Sequence, residues 1–181
     1  MNLLRTIRLD TSDTFIFEKA AEPGEWAVSG AFMFWSGDPD KLEGKARSAF
    51  RSGFLGIGSL GWSTLVQIVE ASAEDRGAAV DALARQLVER FGAPDLETAR
   101  KAAEEEVVFA QSLAEHPKDT LVAVHRRYED GEIREAFRTL RPRAGQKPLR
   151  AFSFMDVEGE ELGAVQGDEV DLLGLARPEN K

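Results

Sequence analysis

The sequence predicts an α+β fold: a mostly antiparallel sheet of about six or seven strands with three helices packed on one side. Three observations carry this. Helical periodicity recurs in three stretches, each bounded by residues that start or stop helices. Asp130-Gly131 separates two runs of alternating residues, the pattern of a two-residue β-hairpin. The stretch Gly53–Glu70, GFLGIGSLGWSTLVQIVE, passes from four glycines into β-branched and aromatic residues. It reads as a central strand, Trp62–Val69, entered through a loop that glycine permits.

Leu3–Asp10 and Thr14–Lys19 read as two short strands separated by Thr11-Ser12-Asp13. After a Pro23-Gly24 turn, Trp26–Trp35 makes a third, more apolar strand carrying Phe32, Met33 and Phe34, so the three suggest an antiparallel meander. Asp38-Pro39 supplies an N-cap with proline at the first helical position. Leu42, Ala46, Ala49 and Phe50 then form one apolar face, and Gly53 stands where a C-cap glycine belongs. Past the central strand, Ser72 and Asp75 begin a helix as a capping box. Val80, Leu83, Ala84, Leu87, Val88 and Phe91 follow at helical spacing up to Gly92. Pro94 opens another helix with Leu96, Ala99, Ala103, Val107, Ala110 and Leu113 on one side, stopped by His116-Pro117. Its acidic side, Glu104 and Glu105, reads as a solvated helix face and not a metal site, because no histidine lies three or four residues away.

Leu121–Tyr128 and Glu132–Leu140 flank the Asp130-Gly131 turn. A two-residue turn sets Tyr128 against Ile133, Arg126 against Glu135, Val124 against Phe137 and Val122 against Thr139. One mostly apolar face results, crossed by an Arg126–Glu135 ion pair. The opposite face gathers His125, Arg127, Arg134 and Arg138. Positive charge collected on one sheet face is where an anionic ligand or an acidic partner would sit, although exposed arginine also suits an ordinary solvated face. Leu149–Met155 reads as a last strand closing a single domain over residues 1–155, with 156–181 an acidic tail. Within that tail, Leu172-Leu173-Gly174-Leu175 is an apolar docking point.

Composition narrows the chemistry. A chain of 181 residues fits one domain and buries roughly 70% of its unfolded surface, so no disulfide or metal staple is required. It holds no cysteine, which removes thiolate nucleophiles, cysteine-ligated zinc, iron–sulfur clusters and disulfides. The first eight residues contain no apolar targeting core and no run is long enough to span a bilayer, so the expectation is a cytoplasmic protein without membrane contact. The net charge of −9 argues against nucleic acid as a partner. Its distribution is uneven. From Asp156 onward eight acids face only Arg177 and Lys181, a net −6, whereas Arg126–Arg150 holds eight bases against four acids, a net +4.

Gly56-x-Gly58-x-x-Gly61 matches the dinucleotide fingerprint by letter. That fingerprint needs a strand before it and a helix after it, so that backbone amides at the helix N-terminus reach the pyrophosphate. Here the order is helix before and strand after. The glycines are therefore expected to supply positive φ values and a close backbone approach. Of the two histidines, His116 precedes a proline at a helix end, which leaves His125 as the acid–base candidate. Ser59 and Ser63 lack the spacing of a nucleophile elbow. No catalytic residue, metal ligand or cofactor is expected.

Thr11–Phe15, Glu22–Gly30, Gly53–Gly56, Leu60–Val69 and Asp130–Pro142 resemble a family of small bacterial proteins of unknown function. The resemblance covers most of the chain up to the tail. It implies an accessory role beside cofactor-dependent enzymes and brings no catalytic residues with it. The leading expectation is thus a non-catalytic accessory or protein-interaction protein. The alternative is a binding module for an anionic small molecule that uses the basic hairpin face. A homodimer is also expected as an option, because Trp26–Trp35 is apolar on both faces and needs cover from helices or from a second copy.

Overall fold

The computed structural model describes residues 1–141 and 161–162. In order, the elements are β1 (Asn2–Ile7), α1 (Ser12–Ile16), β2 (Trp26–Val28), two 3₁₀ turns (Ala31–Phe34 and Pro39–Lys41), α2 (Gly44–Ser52), β3 (Phe54–Gly56), β4 (Trp62–Ser63), β5 (Leu65–Glu70), α3 (Ala73–Phe91), α4 (Leu96–Leu113), β6 (Leu121–Glu129), β7 (Glu132–Leu140) and β8 (Glu161–Leu162). They form one sheet in the order β4-β3-β2-β1-β5-β6-β7-β8. Every ladder in it is antiparallel, with one parallel bridge between Ala20 and Trp62. The class is α+β, as expected. The expected strand Leu149–Met155 and the Leu172–Leu175 patch lie outside the described residues.

The strand expected over Trp62–Val69 is two strands, and they occupy different places in the sheet. β4 sits at an edge beside β3, whereas β5 lies in the middle between β1 and β6. Only Thr64 separates them, so the sheet must curl until its β4 edge returns to β5. The break has a cause in Asp13, which is 7% exposed. The Thr64 amide donates to Asp13 Oδ2 at 3.2 Å, which takes it out of the ladder, and the Thr64 hydroxyl donates to Oδ1 at 2.5 Å. The Ser63 hydroxyl bridges the break by donating to the Leu65 carbonyl at 2.7 Å.

Asp13 is in position because Thr14–Lys19, expected as a strand, instead begins within helix α1. The carboxylate of Asp10 accepts from the Ser12 amide at 2.8 Å, and the Thr14 hydroxyl donates to the Thr11 carbonyl at 2.6 Å. These local bonds outweigh the strand preference of Phe15-Ile16-Phe17. The expected meander therefore has only β1 and β2. The apolar run Trp26–Trp35 is likewise strand only as far as Val28. Gly30, at φ +80°, turns the chain into a 3₁₀ segment. That turn brings Phe34 onto Trp62 and Phe50, with ring centroids 5.3 and 5.2 Å apart, and Phe32 onto Phe91 at 5.9 Å. Of the two covers the sequence allows, the chain itself supplies one for Phe32 and Phe34, while Trp35 is 70% exposed.

The helices follow their caps. Asp38 accepts from the Asp40 amide at 3.1 Å and starts the 3₁₀ turn, so α2 begins later, at Gly44. Ser72 and Asp75 form the reciprocal capping box, and Gly92 ends α3 at φ +71°. Asp95, not Pro94, starts α4: its carboxylate accepts from the Thr98 amide at 2.7 Å. Ala99, Ala103, Val107, Ala110 and Leu113 of α4 are buried as their spacing requires, but Leu96 is exposed. α4 packs on β1 and β2, α2 on β6, and α3 on α4. The β6–β7 register is the expected one, from Tyr128 opposite Ile133 to Val122 opposite Thr139. Asp130 and Gly131, at φ +55° and +79°, supply the two positive values such a turn demands.

Candidate anion-binding cleft

β5 pairs with β6 only as far as Leu65 opposite Ala123. Beyond that point α2 packs along β6 in place of a strand. One side chain fixes it there. Arg126 is 1% exposed, and its Nη1 donates to the Gly53 carbonyl at 2.7 Å, to Phe50 at 3.0 Å and to Ala49 at 3.5 Å. These carbonyls belong to the C-terminal end of α2, where a cation satisfies orphan acceptors and opposes the helix dipole. Nη2 donates to the Ser29 carbonyl and hydroxyl oxygens, and Nε to Glu135 Oε1 at 2.6 Å. The Ser29 hydroxyl donates to the same carboxylate oxygen. The sequence reading gave Arg126 and Glu135 their pairing but not their depth.

With α2 pinned, a cleft of about 220 Å³ opens between it and the outer half of β6. Arg47 and Arg51 line it from α2, Arg127, Tyr128 and Glu129 from β6, and Asp40 from the preceding turn. Arg47 and Arg51 lie four residues apart, hence on one side of the helix. Both are exposed, and neither pairs with a carboxylate among the described residues.

The hairpin register sets His125 opposite Ala136, Arg127 opposite Arg134 and Ala123 opposite Arg138, so the four expected residues share one face. They are not equivalent. Arg127 and Arg134 flank Glu129 at 3.7 and 3.6 Å, and Arg134 also reaches Asp130 at 3.5 Å, so part of their charge is already matched. Arg127 alone of the four also lines the cleft. Burial lowers the pKa of His125 below the usual histidine value, and the charges of Arg127, Arg51 and Arg138 lower it further. Arg51 of α2 thus belongs to the same positive field as the hairpin. Sequence reasoning missed Arg47 and Arg51, whose only signal is their four-residue spacing beside the apolar helix face.

Glu106, on α4, is a strongly perturbed carboxyl. Burial raises its pKa to about 7; the charge of Glu135 adds to the rise, and Arg126 opposes it. Two carboxylates therefore crowd one buried guanidinium, though Glu106 does not line the cleft. Among the described residues no group of His, Asp and Glu could hold a metal ion, and no helix is long and apolar enough to cross a membrane.

The Gly56–Gly61 loop surrounds a carboxylate, and that carboxylate is the chain's own Glu25. The Ser59 amide donates to Glu25 Oε2 at 2.8 Å, the Ser59 hydroxyl to Oε1 at 2.5 Å, and the Glu22 amide to Oε1 at 2.7 Å. A Cβ on Gly56 would stand 2.5 Å from the Glu25 carboxyl carbon, and one on Gly61 2.4 Å from the Ala20 carbonyl oxygen. The expected close approach is present and the expected positive φ is not. Gly53, Gly56, Gly58 and Gly61 all lie outside the left-handed region, and Leu60, at φ +55°, makes the turn. Gly53 is the C-cap of α2, as expected, but at φ −98°, and a glycine is needed there because a side chain would strike Trp62.

The profile of a family of unknown function (DUF6505) matches residues 1–157. Neither a curated protein nor a solved structure matches the chain.

Proposed function

We propose that this chain, which belongs to DUF6505, is a non-catalytic binding protein that takes an anionic group in the cleft between α2 and β6. The observation that carries the reading is the convergence of Arg47 and Arg51, without carboxylate partners among the described residues, on Arg127. Guanidinium groups that converge at a concave site favour carboxylate or phosphate oxygens, which they bind through charge-assisted hydrogen bonds. Phe50, Pro39 and Tyr128 add apolar lining, the usual partner of a few fixed polar groups in a small-molecule site. His125, Arg134 and Arg138 extend the positive field beyond the cleft. The test is calorimetric titration of the full chain with pyrophosphate and citrate. Replacing Arg47 and Arg51 together by alanine is expected to weaken binding at least about tenfold, since hydrogen bonds to charged groups contribute about 1.5–3 kcal/mol each. Unchanged affinity in that variant overturns the reading.

A second reading, an accessory protein that docks on a partner, draws support from Trp35, which ends an otherwise covered aromatic segment and is 70% exposed. Retention of a partner by the Arg47/Arg51 variant, and its loss in Trp35→Ala, would favour that reading over the first.

A further inference from the structure

We infer that the cleft has an occupant within the same chain: the acidic segment Asp168-Glu169-Val170-Asp171, which competes with external anions for Arg47, Arg51 and Arg127. The inference rests on the reading of the cleft as an anion site. Its first support is the direction in which the chain leaves the sheet. β8 pairs antiparallel with β7, Glu161 opposite Arg138 and Leu162 opposite Phe137. The C-terminal end of β8 therefore points along β7 toward Arg134, the hairpin end where Arg127 and the cleft lie.

The second support is reach. Asp168 follows Leu162 by six residues, about 20 Å of extended chain at roughly 3.3 Å per residue. From Leu162 to Arg127 the path crosses two strand spacings, roughly 10 Å, and runs three residues along β6, roughly 10 Å. The diagonal is about 14 Å, within the span of the linker. The third support is charge. Three carboxylates within four residues match Arg47 and Arg51, which have no carboxylate partner among the described residues, and Arg127, which shares Glu129 with Arg134. A tethered segment acts at millimolar effective concentration, enough to compete with a weakly held anion without any new contact.

The test compares the full chain with its Asp168→Asn/Glu169→Gln/Asp171→Asn variant, using pyrophosphate as probe. Calorimetry gives the affinity, and the side-chain Nε–H signals of the arginines, recorded without probe, report occupancy directly. The expected result is at least about fivefold tighter pyrophosphate binding in the variant, with a difference that shrinks as salt screens the exposed charges. Shifted signals of Arg47 and Arg51 in the probe-free variant are expected alongside. Equal affinities with unmoved arginine signals overturn the tail's occupancy and leave the cleft reading intact. Absence of pyrophosphate binding in both chains, with signals that still shift, fails the cleft reading for external anions while upholding the intramolecular contact. Absence of both effects overturns both.

Discussion

Arg126 and Glu135 stand opposite each other in the β6–β7 ladder, with Nε and Oε1 2.6 Å apart and the arginine side chain wholly out of solvent. The pair is the joint of the molecule, because the same guanidinium holds the end of α2 and the β2–3₁₀ corner at Ser29. Burial holds the arginine's pKa below its ordinary value, and the adjacent Glu135 offsets only part of that. Such a pair is costly to break from one side, since the remaining charge stays desolvated. Arg126→Ala is therefore expected to lose about 3–5 kcal/mol of stability. Arg126→Leu/Glu135→Leu is expected to lose less than the single alanine change, as both charges leave together. Urea unfolding of the two variants checks the order.

Glu106 gives the stability a dependence on pH. Its pKa in the fold, about 7, lies above the ordinary glutamate value of 4.5, so the folded state holds the extra proton between those values. Stability from this group is full below pH 4.5 and is lost as the pH rises through 7. Glu106→Gln is expected to stabilise the protein above pH 7, by about 1–3 kcal/mol, and to change little below 4.5. Thermal melts across that window measure it.

His125 works in the opposite direction. Its pKa is held down by burial first and then by Arg127, Arg51 and Arg138, so protonation opposes the fold. Its contribution is present above the ordinary histidine value of 6.5 and is lost as the pH falls through the lower folded pKa. NMR titration of the ring should give a midpoint below 6.5 that moves upward in Arg51→Ala. An unmoved midpoint would separate Arg51 from the hairpin's field.

Two glycines should respond oppositely to alanine. Gly61→Ala places a methyl 2.4 Å from the Ala20 carbonyl oxygen and 2.6 Å from the Ala21 nitrogen, backbone atoms that cannot give way. A loss of more than about 2 kcal/mol is expected. Gly77→Ala, in open space within α3, is expected to gain about 0.5–1 kcal/mol by limiting the unfolded chain. Denaturant midpoints of the two variants decide both.

The sequence by itself determined what depends on near neighbours. The capping box at Ser72 and Asp75, the apolar row of α4 and the hairpin register around Asp130-Gly131 all follow from residues three or four apart or directly across a tight turn. Their physics is complete within one element, so periodicity and caps suffice to read them. The tertiary structure decided the rest. Asp13 splits one apparent strand into β4 and β5 from 51 residues away, Glu25 fills the glycine loop from 34 residues away, and Arg126 sets α2 in place across 73 residues. Arg47 and Arg51 became partners of Arg127 only once that helix was anchored. In each case a buried polar group took the partner that satisfied its charge or hydrogen bonds, a choice made by the packed interior and not by the chain's local pattern.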